Sequence, residues 1–394
     1  MNIAMFAWEA LEGLSVGGGA VYASRLAAAL AGAGHRVRLF TRLGPGQSLD
    51  EAVGGVHVRR CSWDRKPGFF DEIEALSHSF AHYFADAVKI DGPYDVIHCH
   101  EWLTIGAGLR AAALCPGARL AVSFQSTEWG RTGAWPDKGD SARIARIEGE
   151  GVDRADAIIA ASQWVRQAIH EQFHPADWKC SVVYHGYDIP EPGAGREVAA
   201  SVRHAAGIGV DTPSMLFAGR FSAVGGGDIA ARAARLVSGR FPEAKFIFVG
   251  EGPMEREMRE EAGAGALFLP TQGRVVPNEY YQAVDLVAAP FRRDHNGRAV
   301  LPAWASAKPV AVLDGTVPAE FVVHDANGWK VRPDPVELAA VVMNAFADPR
   351  QTAWMGRNGR TALETAFTWD ESARRLLAAY GMKDRLTPKA GAGL

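Results

Sequence analysis

Apolar strands and amphipathic helices alternate along most of the chain. The first strand is NIAMFAW at residues 2–8, and the first helix is the Ala-rich segment AVYASRLAAALAGAGH at residues 20–35, whose apolar residues recur at helical spacing. The Gly-rich loop GLSVGGG at 13–19 separates them, and the alternating strand RVRLFTR follows at 36–42. This order of strand, loop, helix and strand predicts the opening of a doubly wound parallel sheet.

The same alternation continues through both halves of the chain. Further strands of the first half are predicted at residues 94–100, 119–126, 155–162 and 180–188. The second half repeats the order over residues 214–253, and the Pro- and Gly-rich segment at 189–200 predicts a linker between the halves. We therefore expect an α/β protein with two doubly wound Rossmann-like domains, at residues 1–190 and 191–369, facing across a cleft at the carboxyl ends of their strands.

Composition narrows the class of protein. The chain has 394 residues, 48% of them hydrophobic and 22% charged, which is typical of a folded globular protein. Its formal net charge of −3 argues against a general nucleic-acid binder. No apolar run approaches the roughly 20 residues of a membrane span, and the N-terminus lacks the basic region of a signal peptide. Four cysteines without a CxxC pair favour a cytoplasmic protein and argue against a zinc site.

The first candidate site is a cluster of glycines, Gly17, Gly18 and Gly19, between the first strand and the first helix. Glycines at a helix N-terminus let backbone N–H groups approach a phosphate or a sugar. The alternative is a mobile loop. The spacing is not GxGxxG, so a dinucleotide site is not predicted.

Polar residues also end the next two predicted strands. In HCHEWL, His98 and His100 share one side of an extended chain, where a structural or substrate-contact role is favoured over a metal site that has no third ligand. Glu101 and Trp102 follow directly and are candidates for lining an acceptor site. In FQSTEWGR, the further candidates for the floor of the cleft are Gln125, Glu128 and Arg131; the alternative is a polar loop.

Two strand ends of the second half are typical of a nucleotide site. In FAGRF, Arg220 lies just past a strand, where a guanidinium can hold a diphosphate in a bidentate manner; the alternative is a surface arginine. In FVGEGP, Gly250 and Gly252 form a turn against which a flat base can lie.

The ordered set GGG, HCHEW, STEWGR, GRF, VGEGP, AVDLVAAPF, DHNG and KPV resembles the retaining GT-B glycosyltransferases of family 4 (group 1) over nearly the whole chain. The resemblance implies a nucleotide-sugar donor bound mainly by the second domain and a carbohydrate or small-molecule acceptor bound mainly by the first. It implies neither a metal nor a separate cofactor. It also implies that the C-terminal helix, within residues 370–394, crosses back onto the first domain.

The chain departs from the family pattern in its donor-site residues. Alignment on Gly297 and Pro309 places Asp294 on the first glutamate of the family motif, which contacts the donor sugar. It places Pro302 on the second, which holds the ribose hydroxyls, and a proline side chain accepts no hydrogen bond. Gly225 falls where the family has a diphosphate-binding lysine.

Two further positions of the family pattern are altered, and one is kept. Gln125 stands for a family histidine and His185 for a family asparagine, whereas Arg220 matches the family arginine. The chain also offers cations that can replace the missing lysine, namely Arg292, Arg293 and Arg298, the last at a presumed helix start.

Three functional interpretations follow. The first is a glycosyltransferase with a diverged donor site, in which Arg220 stabilises the leaving group, Gln125 orients the sugar and Asp294 contacts it. The second is a catalytically inactive pseudo-glycosyltransferase that binds a sugar, a nucleotide or a partner. The third is another enzyme of GT-B fold, such as a sugar epimerase or a phosphorylase.

Overall fold

The computed structural model describes residues 1–15, 18–191, 195–270, 277–294, 297 and 299–381. The chain divides into two compact units, one formed by Met1–Gly186 with the segment from Trp369 onward, the other by Tyr187–Thr368. The sequence placed these divisions at residues 190 and 369. No helix among the described residues is both long and apolar enough to cross a membrane.

Both units are built from strands joined by helices. The strands, in chain order, are β1 Asn2–Ala7, β2 Arg36–Arg42, β3 Asp50–Val53, β4 Val56–Cys61, β5 Val96–His100, β6 Arg119–Phe124, β7 Ala157–Ala160, β8 Cys180–Val182, β9 Ser214–Ala218, β10 Lys245–Val249, β11 Ala266–Leu269, β12 Leu286–Ala289, β13 Val310–Leu313 and β14 Gly328–Val331. The helices, in chain order, are α1 Gly18–Gly32, α2 Phe69–Asp91, α3 Ile105–Leu114, α4 Glu128–Thr132, α5 Gly139–Arg154, α6 Gln163–Phe173, α7 Arg196–Ala205, α8 Gly227–Ser238, α9 Glu255–Ala262, α10 Asn278–Gln282, α11 Leu301–Ala305, α12 Val317–Phe321, α13 Pro335–Ala347, α14 Pro349–Ala366 and α15 Trp369–Ala379. Short 3₁₀ turns lie at Trp102–Thr104 and Asp177–Lys179.

The first unit contains an eight-stranded sheet of order β3-β4-β2-β1-β5-β6-β7-β8. Only the pairing of β3 with β4 is antiparallel among the described strands. Alternate residues of β1 lie on opposite faces, so that Ile3 and Met5 pack under α1 and α15 while Phe6 packs under α2. Burial on both faces explains why the strand reads as a continuous apolar run.

The second unit contains a six-stranded sheet of order β11-β10-β9-β12-β13-β14, in which every described pairing is parallel. The predicted pair of doubly wound α/β domains is confirmed. In each sheet the strand order reverses beside the first strand of the unit, since β1 lies between β2 and β5, and β9 lies between β10 and β12. Open α/β sheets bind ligands at the carboxyl ends of the strands at such a switch point.

Candidate active site

The carboxyl end of β5 lies at the switch point of the first sheet. His100 is in register with Ala7 of β1 and Ser123 of β6, and Glu101 follows it. Glu101 has φ 65° and ψ 164°, a backbone conformation that is almost restricted to glycine. Its carboxylate accepts a hydrogen bond from the backbone N–H of Gln125, which follows β6. The strand ends therefore bring together two of the predicted site residues.

Arg131 joins Glu101 to two further carboxylates. The guanidinium lies 3.4 Å from Glu101 Oε2, 3.0 Å from Glu128 Oε2 and 2.7 Å from Glu148 Oε1. Glu148 has no exposed surface, and both of its oxygens accept the backbone N–H of Glu128 at 3.0 Å. The hydroxyl of Thr127 accepts the Gly130 N–H and caps α4, which places Glu128 and Arg131 on this short helix.

The four side chains form what we call the Arg131 cluster: Glu101, Glu128, Arg131 and Glu148. A single guanidinium pairs with three mostly buried carboxyl groups. If all three were ionised, the cluster would carry an excess of negative charge. Burial raises the pKa of Glu101 to about 7, although Arg131 draws it down, and burial also raises the pKa of Glu148. The cluster can therefore hold a proton near neutral pH.

Two neutral imidazoles lie beside this cluster in the first unit. The ring nitrogens of His98 contact Ser123 Oγ and, at 2.8 Å, the hydroxyl of Tyr380 beyond α15. Both ring nitrogens of His100 are buried and lack a hydrogen-bond partner among the described residues. Burial lowers the pKa of His100 to about 3, so the ring is neutral. The predicted side-by-side arrangement is confirmed by a centroid distance of 4.2 Å, and His100 retains an unused donor and acceptor.

No group of metal ligands is present among the described residues, in either unit. Gln125 and His185, which both stand at altered positions of the family pattern, hydrogen bond to each other through Oε1 and Nε2. The imidazole of His185 stacks on Tyr22 of α1 at 4.2 Å. The two departures are therefore one local change, in which an amide and an imidazole face each other.

Other predicted residues of the first unit have structural surroundings. Trp102 is 7% exposed and packs against Phe69 and Phe70, so its burial weighs against stacking on a sugar. Gly18 and Gly19 open α1, as expected for residues at a helix N-terminus, whereas Gly17 lies outside the described residues. Their contact with a ligand stays a prediction.

In the second unit, Arg220 follows β9 at the switch point beside β12. Its side chain is exposed, and within the described ranges its guanidinium makes no hydrogen bond or ion pair. Gly250 and Gly252 follow β10, and a Cβ on either residue would collide with the backbone at Gly219 or Phe221. The close approach of two strand ends is therefore sufficient to require glycine in this turn, and a bound base remains a prediction.

The loop after β12 carries the residues aligned with the family's sugar-binding motif. The carboxylate of Asp294 accepts the N–H groups of Gly297 at 3.0 Å and Ala299 at 3.2 Å. Gly297 has φ +66°, and a Cβ there would meet the ring of Phe321. Asp294 thus shapes the turn that Gly297 permits, while Arg298 lies outside the described residues.

One proposed replacement for the missing lysine already pairs with a carboxylate, and the backbone at the position of the lysine itself leaves no room for a side chain. Arg292 pairs with Asp228 of α8 at 2.7 Å, which engages its guanidinium. A Cβ at Gly225 would collide with the carbonyl oxygen of Arg220, so the backbone at this position does not accommodate a lysine. Pro302 lies in the first turn of α11, where its missing N–H is not needed.

Sequence reasoning did not identify Glu148. It lies on one face of α5 with Gly151 and Val152, at the spacing i, i+3, i+4. A Cβ on Gly151 would meet Ile105, which shows how closely this face packs. A glutamate that shares a helical face with a tightly packed glycine is the signal that could have revealed a buried carboxylate.

Two family models match most of the chain. The glycosyl transferase 4-like domain matches residues 17–186, and the model described as glycosyl transferases group 1 matches residues 212–348. An uncharacterized glycosyltransferase of Methanocaldococcus jannaschii is 26% identical over 393 residues, covering 96% of this chain and 98% of that protein.

Solved structures share the fold over nearly the full length. Sucrose-phosphate synthase of Thermosynechococcus elongatus superposes with a TM-score of 0.74 at 20% identity, covering 96% of this chain and 98% of the other. Anabaena HepE in complex with UDP-glucose superposes with a TM-score of 0.71 at 18% identity, covering 97% and 99%. With two Rossmann-like sheets and both family models in order, the chain belongs to the group 1 glycosyltransferases of GT-B fold.

Proposed function

We propose that the protein transfers a sugar from a nucleotide-sugar donor to an acceptor hydroxyl with retention of the anomeric configuration. The observation that carries this proposal is Arg220, an exposed guanidinium after β9 that makes no hydrogen bond or ion pair with the residues described. A cation at the switch point of a parallel sheet suits the diphosphate of such a donor. The UDP-glucose complex of HepE, which has the same fold, supports this donor class.

In this reaction the second unit would stabilise the leaving group, a nucleoside diphosphate. The bond between the anomeric carbon and the phosphate oxygen breaks, the acceptor oxygen bonds to that carbon, and the proton of the acceptor hydroxyl passes to the departing nucleoside diphosphate, on which negative charge grows. Arg220 would pair with that charge through its guanidinium. Asp294, whose carboxylate accepts the N–H groups of Gly297 and Ala299, would contact the donor sugar.

The first unit would hold the acceptor. Glu101, whose side chain is 23% exposed, offers a carboxyl group whose pKa is raised to about 7. A sugar or polyol hydroxyl can donate to this group when it is ionised and accept from it when it is protonated. Gln125, held by His185, would orient the reacting hydroxyl and has no capacity to act as a base.

A second candidate function is nucleotide-sugar binding without transfer. Pro302 in the first turn of α11 provides no acceptor for ribose hydroxyls, and Gly225 provides no cation for the diphosphate. Each lost charge-assisted contact lowers affinity by about 1.5–3 kcal/mol. A site weakened in this way can retain ligand recognition while losing the positioning that transfer requires.

Nucleotide binding and product stereochemistry test the proposal. Titration calorimetry with UDP-, GDP- and ADP-sugars identifies the donor, and NMR coupling constants give the anomeric configuration of any product. Arg220→Ala should weaken nucleoside-diphosphate binding by about 1.5–3 kcal/mol. Arg256→Ala, which removes an arginine that is 93% exposed on α9, is the matched control and should change nothing.

The outcomes separate the candidates. Binding that depends on Arg220 together with a retained product supports transfer, and the same binding without any product or released sugar supports the second candidate. A product of inverted configuration, or an affinity that Arg220→Ala leaves unchanged, would overturn the proposal.

A further inference from the structure

The second unit contains a cavity at the opposite edge of its sheet from Arg220. The cavity has a volume of about 300 Å³. It lies at the amino ends of three adjacent strands, where Pro213 precedes β9, Asp285 precedes β12 and Lys308 precedes β13. The end of α13 and the first turn of α14 complete its wall with Phe346 and Pro349. The donor proposed above binds at the carboxyl ends of these strands, so this cavity has no part in that function.

Lys308 is the cation of the cavity. Its side chain is mostly buried, and over the described part of the chain its ammonium makes no hydrogen bond or ion pair. Burial lowers the pKa of Lys308, while the nearby Asp285 opposes this shift. Asp285 offsets only part of the hydration that this ammonium loses on burial, and an anionic group placed in the cavity would offset more of it.

The lining of the cavity also contains two carboxylates, those of Asp211 and Asp285. Asp285 is held in place because its Oδ2 accepts the N–H of Ser214 at 2.8 Å and the hydroxyl of Ser214 at 2.9 Å. Asp211 is exposed at the rim, and the described residues offer its carboxylate no hydrogen bond or ion pair. With two acidic groups and one basic group, the cavity would repel a simple anion unless the ligand also carried a positive charge.

We propose that this cavity binds a small zwitterion, a molecule with an ammonium group and a carboxylate on a short apolar body, such as a free α-amino acid. The carboxylate pairs with Lys308, and the ammonium pairs with Asp211 and Asp285. The apolar body lies against Phe346 and Pro349. The volume of about 300 Å³ is at the lower end of the range for ligand pockets, which restricts the ligand to this size.

Binding of L-leucine, L-valine, L-methionine and L-phenylalanine to the nucleotide-free protein tests the proposal. Each is titrated at millimolar concentration by calorimetry and by ligand-observed NMR. Two fragments of leucine then separate its charges, because 4-methylpentanoate lacks the ammonium and 3-methylbutylamine lacks the carboxylate. We expect at least one amino acid to bind, and each fragment of leucine to bind about ten- to a hundredfold more weakly than leucine itself.

Lys308→Met should weaken amino-acid binding about ten- to a hundredfold without lowering Tm, because it removes a buried charge and keeps the length of the side chain. Asp211→Asn, at an exposed position, tests the opposite charge without risk to folding. Lys330→Met, on β14 of the same unit, is the control and should bind as the natural protein does. The proposal fails if none of the four amino acids binds, if the fragments bind as tightly as leucine, or if neither Lys308→Met nor Asp211→Asn changes the affinity. Because no nucleotide is present, these outcomes do not depend on the transferase proposal.

Discussion

Glu101→Gln should make the protein more stable at pH 8 and leave it little changed at low pH. The amide keeps the shape of the side chain and can still accept the N–H of Gln125. It removes a carboxyl group whose pKa is raised to about 7 by burial. Arg131 keeps its contacts with Glu128 and Glu148.

The pH dependence follows from the direction of this shift. Below the usual pKa of 4.5, Glu101 is protonated whether the chain is folded or unfolded. Between that value and about 7 the unfolded chain releases the proton first, so the folded state loses stability as the pH rises. At about 1.4 kcal/mol per pKa unit, the loss is about 3 kcal/mol when complete. This is an upper limit, because 23% of the side chain is exposed and solvent screens the charge.

Urea denaturation of both proteins from pH 5 to pH 8 measures the effect. The free energy of unfolding of Glu101→Gln, relative to the natural protein, should increase across this range by up to about 3 kcal/mol. Glu371→Gln is the control, since Arg374 and then Arg375 lower the pKa of Glu371 to about 2. The stability that Glu371 contributes is present above its usual pKa of 4.5, so the stability difference of this variant should stay constant over the same range.

A stability difference for Glu101→Gln that does not change with pH would refute this reasoning. That result would mean that the Arg131 cluster compensates the charge of Glu101 fully.

Three further predictions concern packing and hydrogen bonding, each measured as a change in the urea midpoint. Gly297→Ala should destabilise by about 2–4 kcal/mol, because Gly297 has φ +66° and the new methyl group meets Phe321; an unchanged midpoint would contradict the turn described above. Gly225→Lys should destabilise rather than restore nucleotide binding, since its Cβ collides with backbone; tighter nucleotide binding would contradict this. Tyr380→Phe should cost about 1–3 kcal/mol by leaving a buried nitrogen of His98 unsatisfied, and a neutral result would show that water replaces the hydroxyl.

The ends of the strands could be predicted from the sequence, because the local pattern of apolar and polar residues determines where a strand begins and ends. The predicted strand at 36–42 is β2, Arg36–Arg42, and the predicted helix at 20–35 is α1, Gly18–Gly32. The helix ends earlier than its apolar pattern because Gly34 takes φ +87° and stops it. Since parallel strands present their carboxyl ends at one edge, the polar residues after them could be assigned to a common site from the sequence alone.

The Arg131 cluster was less predictable because its members come from separate elements. Glu128 and Arg131 lie on α4, Glu148 lies on α5 and Glu101 follows β5, so only three-dimensional packing brings their charges together. The sequence identified three of the four residues as polar groups at strand ends and assigned them to a substrate. In the structure the Arg131 guanidinium pairs with three carboxylates, Glu101 among them, and its contact with a substrate stays a prediction.

Glycines were the hardest residues to interpret, because ligand contact and tight backbone packing favour the same residue. Gly250 and Gly252 are explained by the approach of the loop at Gly219 and Phe221, without any ligand. Gly225 likewise lies against the carbonyl oxygen of Arg220. A sequence motif records that a side chain is excluded, whereas the structure is needed to say which atoms exclude it.

Glu101 combines two costs at one position, and this supports a functional role for its carboxyl group. Its backbone conformation costs about 1–3 kcal/mol in a residue other than glycine, and its ionisation costs at most about 3 kcal/mol more than in water. A glycine would relieve the first cost, and a glutamine would relieve the second while keeping the hydrogen bond from Gln125. Unlike either replacement, the carboxyl group of Glu101 can gain and lose a proton near neutral pH beside the switch point of the first sheet. A Glu101→Gln protein that is more stable yet transfers sugar more slowly, with a flattened pH profile, would therefore distinguish a working carboxyl group from a structural one.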